Sequence, residues 1–399
     1  MSEPLFSVVV PTRNRPATAR QALDSVLRQN CRDFELIVSD NSTTASTELE
    51  EWLRARPDLP ARFEYIRTGG GLEMDANWEA ASLRARGRYL MMFPDRWVMR
   101  GGSLALLASI IAQQDPECVI WDSRLSIQED GRFRSEVESA GPVRCEIRRS
   151  EDLLENLLAF RGYKDKTVYT QPFPRGLNCV TRQDAIDAVR SRVGTLFAPN
   201  ACDYTSGVSL LLHTRRITHV LDSLYVAIGK ESNGERLTIH GIPPSLKHAT
   251  RWRGLEVDAV LLTVMNDIDA TLERHGEQQW SERMDVGNVL LSLLSEIHTK
   301  EWHGSPLDTV EMRERIFSYA TLHRDTLRPS LAAELAAYDL QFAPGLRQGR
   351  KLLQKLKLFY KVYALKHAMA PGRPSARHTY CDDLLSTRSV VVAQQAGSY

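Results

Sequence analysis

Over its first 121 residues the chain alternates short apolar, β-branched runs with stretches of helical periodicity, and no other feature narrows the fold as far. Residues 6–10, 34–38, 63–66, 89–93 and 119–121 read as buried strands. The first two end in the polar loops Thr12-Arg13-Asn14-Arg15 and Ser39-Asp40-Asn41-Ser42, and Gly69-Gly70-Gly71 marks a turn after the third. Between the strands, Pro16 suits the first turn of a helix, and Ala19, Ala22, Leu23, Val26 and Leu27 then recur on one helical face. Further helices are expected over 47–56, 75–86, stopped by Gly87, and 102–114. Strand-helix-strand units of this length imply right-handed crossovers and an α/β fold, a parallel sheet with helices on both faces. Such sheets bind ligands at the carboxyl ends of their strands. Loops 11–15, 39–42 and 94–97 fall there by this assignment.

A chain of 399 residues is long enough for two domains or one with a long extension, and 43% hydrophobic with 25% charged residues is a soluble globular balance. Fifty-one basic against 50 acidic residues leave no overall charge to attract nucleic acid, and none is expected as a partner. No apolar run reaches the roughly 20 residues that span a bilayer, and the first residues lack a secretion signal's basic and apolar regions. The six cysteines are scattered without a CxxC pair, which reads as reduced thiols in the cytoplasm. From about 251 to 338 the pattern turns helical, and after Pro371 the chain reads as a loose tail.

Four blocks in order resemble family 2 glycosyltransferases. They are SVVVPTRNRP followed by FELIVSDNST, then the stretch from Gly71 through Asn77-Trp78-Glu79, then Gly87 to Pro94-Asp95, and last 198–204 running on to 229–234. The likeness covers roughly 5–235. It implies a GT-A, Rossmann-like, mostly parallel sheet over 1–235; beyond it the residue pattern itself gives a helical C-terminal extension over 236–345 and a basic amphipathic helix and flexible tail over 346–399. It further implies transfer of a sugar from a nucleotide-sugar donor, expected to be a UDP-sugar, to a glycan or lipid-linked acceptor with inversion. Pro11, Thr12 and Arg13 would line the base and ribose, Asp40 would accept from the uracil N3–H, and Asn77 and Asp95 would complete the donor site. Asp203 falls in the segment that carries the family's general base. Each carboxylate also has a plainer reading: Asp40 as an Asx-turn or helix cap, Asp203 as the N-cap of an apolar helix over 208–212.

One departure bears on chemistry. The family ends its fourth strand with several aspartates that place a divalent cation, Mg²⁺ or Mn²⁺, on the diphosphate, whereas this chain has Pro94-Asp95-Arg96-Trp97. Asp95 alone would hold such an ion through water. Alternatively Arg96, with Arg13 or Lys230, would neutralise the diphosphate, and metal dependence would be weak or absent. A non-catalytic GT-A-like binding or scaffold protein is the rival reading; the plain reading of Trp97 is a core aromatic. The loop 172–178 either shapes the acceptor side or is a structural turn. Between Leu340 and Cys381 lie nine basic and no acidic residues. The stretch 350–367 therefore either lies on an anionic membrane surface, making the protein peripheral to the inner face of the plasma membrane, or docks on the body.

Overall fold

The computed structural model of the chain describes residues 3–122, 143–161, 172–227, 233–243, 250–341 and 390–394. Its strands are β1 (Phe6–Thr12), β2 (Phe34–Asp40), β3 (Phe63–Arg67), β4 (Tyr89–Met92), β5 (Trp97–Met99), β6 (Cys118–Trp121), β7 (Val143–Arg149), β8 (Cys179–Arg182), β9 (Arg216–Val220), β10 (Tyr225–Ala227), β11 (Arg251–Trp252), β12 (Leu255–Glu256) and β13 (Val390–Gln394). The helices that matter for the site are α1 (Pro16–Leu27), α2 (Glu48–Arg54), α3 (Met74–Ser82), α4 (Ser103–Gln114), α5 (Ser150–Leu158), α6 (Gln183–Val193) and α7 (Cys202–His213). After α8 (Asn233–His240) come α9 (Val260–His275), α10 (Gln278–Glu282), α11 (Val286–Trp302), α12 (Thr309–Leu322) and α13 (Leu331–Leu340).

The chain divides into two compact units, one of Met1–Asn233, Thr263–Met284 and Thr379–Tyr399, the other of Gly234–Leu262 and Asp285–His378. In the first, nine strands form one sheet in the order β13-β7-β9-β6-β8-β4-β1-β2-β3. It is mostly parallel: β4, β1, β2 and β3 run together, as do β6 with β9 and β13 with β7. Three pairings are antiparallel, β4 with β8, β6 with β8 and β7 with β9. The period-2 alternation of the strands sorts their side chains onto two cores. Val8, Val10, Leu36, Val38, Met91 and Phe93 pack with α1, α2 and α4, while Val9, Ile37, Leu90 and Met92 pack with Trp78 and Ala81 of α3 and with α6 and α7. Helices therefore cover both faces, as the GT-A expectation requires. The tail reading needs one correction: residues 390–394 form a strand that pairs in parallel with β7. The stretch 350–367 lies outside the described residues.

The second unit is largely helical. Its centre holds Lys300, fully buried, whose Nζ donates to the Thr238 carbonyl and lies 3.2 Å from Glu296. Glu296 in turn accepts the Val260 and Leu261 main-chain N–H groups, which start α9. Among the described residues no helix is long and apolar enough to cross a membrane.

Candidate active site

The parallel run β4-β1-β2-β3 sends four chain segments out at one end of the sheet, and they are tied together side chain to loop. Thr12, the last residue of β1, donates its hydroxyl to Asp95 Oδ2 at 2.8 Å. Arg15 approaches Asp95 Oδ1 at 3.4 Å. Arg13 spans to the turn after β3, donating to the Gly70 and Leu72 carbonyls. That turn needs glycine, because Gly70 has φ +76° and lies so close to Thr43 that a side chain would collide with it. Asn14 takes a left-handed conformation, φ +57°, and its Oδ1 accepts the Thr43 N–H while its own N–H reaches Ser42. Asn41 closes the set, holding Thr68 and Leu72.

Within this crest Asp40 is buried with both oxygens engaged. Oδ1 accepts the Ser42 N–H at 2.9 Å, an Asx-turn, and Oδ2 accepts the Tyr65 hydroxyl at 2.8 Å. Burial and the Asp40 charge push the Tyr65 phenol well above its ordinary range. Asp95 is also buried. Burial raises its carboxyl above the usual carboxylate range, opposed by the charge of Arg15, the Thr12 hydroxyl and the charge of Arg96. Asn77, one turn into α3, accepts from Ser39 of β2 at 2.7 Å. Pro11 lies on β1 with Thr12, paired in register with Ser39 of β2.

Asp203 stands on a different element, the first turn of α7. Three devices fix that helix. Asp267 of α9 accepts the Ala201 N–H at 2.8 Å and the Asn200 side-chain amide at 3.2 Å, which anchors the entry. Glu79 accepts the Leu196 and Phe197 N–H groups and the Arg190 guanidinium, while its neighbour Trp78 meets Phe197 edge to face. Finally Gly207 lets α7 touch the loop 172–178, since any side chain there would strike the Pro174 carbonyl. This close approach brings Arg175 to Asp203 and over the Tyr204 ring, 6.0 Å from its centre. Burial pushes the Asp203 carboxyl up, and Arg175 together with the main-chain N–H groups of Asp203 and Tyr204 pulls it down; burial wins.

The structure thus joins Thr12, Asp40 and Asp95 in one hydrogen-bonded crest with Arg13, and places Asn77 directly behind it. Arg96 sits in the turn between β4 and β5, where its field reaches Asp95. Trp97 opens β5 and packs edge-on against Tyr225, ring centres 4.1 Å apart, as a core aromatic would. Lys230 lies outside the described residues. Sequence reasoning missed Arg15, Tyr65, Arg175, Glu79 and Asp267. Tyr65 had a usable signal: with β2 and β3 parallel, Tyr65 pairs with Val38, which shares a strand face with Asp40. Asp267 had none, being 66 residues from its partner Ala201. Among the described residues no group of three or more His, Cys, Asp or Glu side chains is placed to hold a metal ion.

Residues 7–189 match the family described as Glycosyl transferase family 2. A PGL/p-HBAD biosynthesis glycosyltransferase of Mycobacterium bovis (strain BCG / Pasteur 1173P2) is 30% identical over 121 residues, 30% of this chain and 47% of the relative. A protein of Escherichia coli (strain K12) named for colanic acid biosynthesis, WcaA, is 32% identical over 94 residues, 24% of this chain and 33% of the relative. The chain thus spans about half the length, or less, of these relatives. The solved structure of S. aureus TarS 1-349 in complex with UDP-GlcNAc is 15% identical, covers 87% of this chain and 91% of its own, and has a TM-score of 0.45. That last likeness adds no weight. The family match does, because its span, a little under half of the chain, takes in the four strands and every loop of the crest.

Proposed function

We propose that the protein moves a hexosyl group from a nucleotide-sugar donor, a UDP-sugar, to a hydroxyl of a glycan or lipid-linked acceptor, with inversion. One observation carries this reading: the crest of Thr12, Arg13, Asp40 and Asp95 at the carboxyl ends of parallel strands, inside the family 2 region. In this scheme Pro11, Thr12 and Arg13 line the base and ribose, Asp40 accepts from the uracil N3–H, and Asn77 steadies the wall behind them. The anomeric carbon–oxygen bond breaks with its electron pair left on the diphosphate. The acceptor oxygen bonds to the anomeric carbon from the opposite face, and its proton passes to Asp203. A base works best when its pKa lies near the operating pH, and the upward shift of Asp203 moves it in that direction. Arg96 adds positive charge on the leaving-group side. The basic stretch 350–367 would hold the protein to an anionic membrane on its cytoplasmic face, a proposal that rests on sequence alone.

A second, non-catalytic reading is favoured by one observation: both oxygens of Asp95 already have protein partners. A panel of nucleoside diphosphate sugars, assayed for release of the nucleoside diphosphate, separates the two. The transferase reading expects hydrolysis of at least one donor, and no release from any donor that binds leaves the scaffold reading standing.

A further inference from the structure

We propose that Arg15, seated on Asp95, is the built-in countercharge for the donor diphosphate, in the place where the family resemblance implies a divalent cation. This rests on the transferase reading above. The residues at the crest do not fit a cation. Asp95 is the carboxylate that follows β4, its Oδ2 takes the Thr12 hydroxyl at 2.8 Å, and its Oδ1 faces the Arg15 guanidinium at 3.4 Å. The next residue along the chain, Arg96, adds a second positive charge whose field reaches the same carboxylate. An ion there would meet two guanidinium groups and a carboxylate already in use.

Arg15 suits the role better than its neighbour Arg13. The Arg13 fork is spent on the carbonyls of Gly70 and Leu72, where it staples one loop to another. Arg15 instead pairs with a carboxylate, and its side chain remains 37% exposed at the crest. Its root is fixed: it is the N-cap residue of α1, its carbonyl accepts the Ala19 N–H at 3.0 Å, and Pro16 follows with its constrained backbone. A guanidinium presents five N–H donors in a planar fork whose geometry matches phosphate oxygens as well as a carboxylate. Charge-assisted, bidentate contacts of that kind are the strong ones.

The test is calorimetric binding of UDP, GDP, ADP and CDP and of the matching nucleosides to the full chain, with EDTA and with added Mn²⁺. For the diphosphate that binds, affinity is expected to be the same in EDTA and in Mn²⁺. Arg15→Ala is expected to weaken the diphosphate at least about tenfold, as loss of a charge-assisted contact does, while nucleoside affinity stays unchanged. A purely structural role for Arg15 would weaken both equally. Should Arg15→Ala fail to fold, Arg15→Lys keeps the charge, loses the fork, and is expected to weaken the diphosphate and spare the nucleoside. Diphosphate binding that EDTA abolishes, or that survives loss of the guanidinium, overturns this inference alone. Wild-type protein that binds none of the four diphosphates overturns the transferase reading and this inference with it.

Discussion

Two carboxylates divide the candidate site, Asp95 buried and Asp203 half-buried. Asp95, on the crest, has a hydroxyl on one oxygen and a guanidinium on the other. Asp203, at the start of α7, draws on main-chain N–H groups and the field of Arg175. Burial raises both above the usual range, so the difference between them lies in their partners. A carboxylate whose two oxygens are engaged by side chains is suited to positioning other groups. A carboxylate held by its own helix, beside a single arginine, keeps the capacity to accept a proton. In the proposed function the contrast separates a donor end at Asp95 from a chemical end at Asp203, each built differently.

Breaking the chemical end should have the largest effect. Asp203→Asn is expected to lower sugar transfer by at least about 10²-fold, the low end for loss of a general base, measured as turnover with the donor found by hydrolysis screening. A smaller effect is expected at the donor end. Asp40→Ala should weaken nucleoside diphosphate binding by about 1–3 kcal/mol, the usual cost of an unpaired hydrogen-bonding group, measured by calorimetry. Tyr65→Phe sharpens that result, because it removes the phenol from Oδ2 and leaves the carboxylate in place. If both variants weaken binding alike, Asp40 acts through loop structure and not through the nucleotide.

The anchoring of α7 predicts a pH effect of intermediate size. His275 accepts or donates to Ser209 at 3.0 Å and meets His213 at 3.2 Å, with Arg192 and Arg274 also contributing positive charge and Glu277 facing His213. Burial, then His213 and the arginines, depresses the His275 imidazole to about 4. The folded state therefore holds it neutral, and that stability is complete above the unfolded value of about 6.5 and is lost as pH falls from there toward 4. Melting temperature should drop across that window, and His275→Gln should flatten the drop. An identical pH profile in the variant would show that other groups set it.

The smallest effect concerns the basic stretch. Deleting 346–399 would also remove β13, so substitution in place is the cleaner probe. Lys351, Lys355, Lys357 and Lys361, each changed to Glu, should reduce co-sedimentation with anionic vesicles and leave donor hydrolysis unchanged. Equal sedimentation of both proteins removes the membrane proposal.

The strands and loops of the donor end were legible because each is local. A β-branched run, a polar loop and a proline at the first helical turn are signals read over a dozen residues, and β1, α1 and β2 follow them closely. Direction and pairing were not legible. Nothing in Cys179–Arg182 says that it inserts antiparallel between β4 and β6. The Val390-Val391-Val392 run was a strand signal, but it sits beyond Pro371, after the basic stretch, in a segment read as tail. At the candidate site, Asp40 and Asp203 were singled out from motif position. Their settings depend on Tyr65, Arg175 and Asp267, and those contacts exist only once distant segments meet.

The division between binding and chemistry is tested most directly by one paired measurement on Asp203→Asn: nucleoside diphosphate affinity beside turnover, on the same preparation. The account predicts wild-type affinity with turnover lost. Turnover at the wild-type rate would reduce Asp203 to a helix-start residue, and affinity falling in step with turnover would show that the two ends of the site are one.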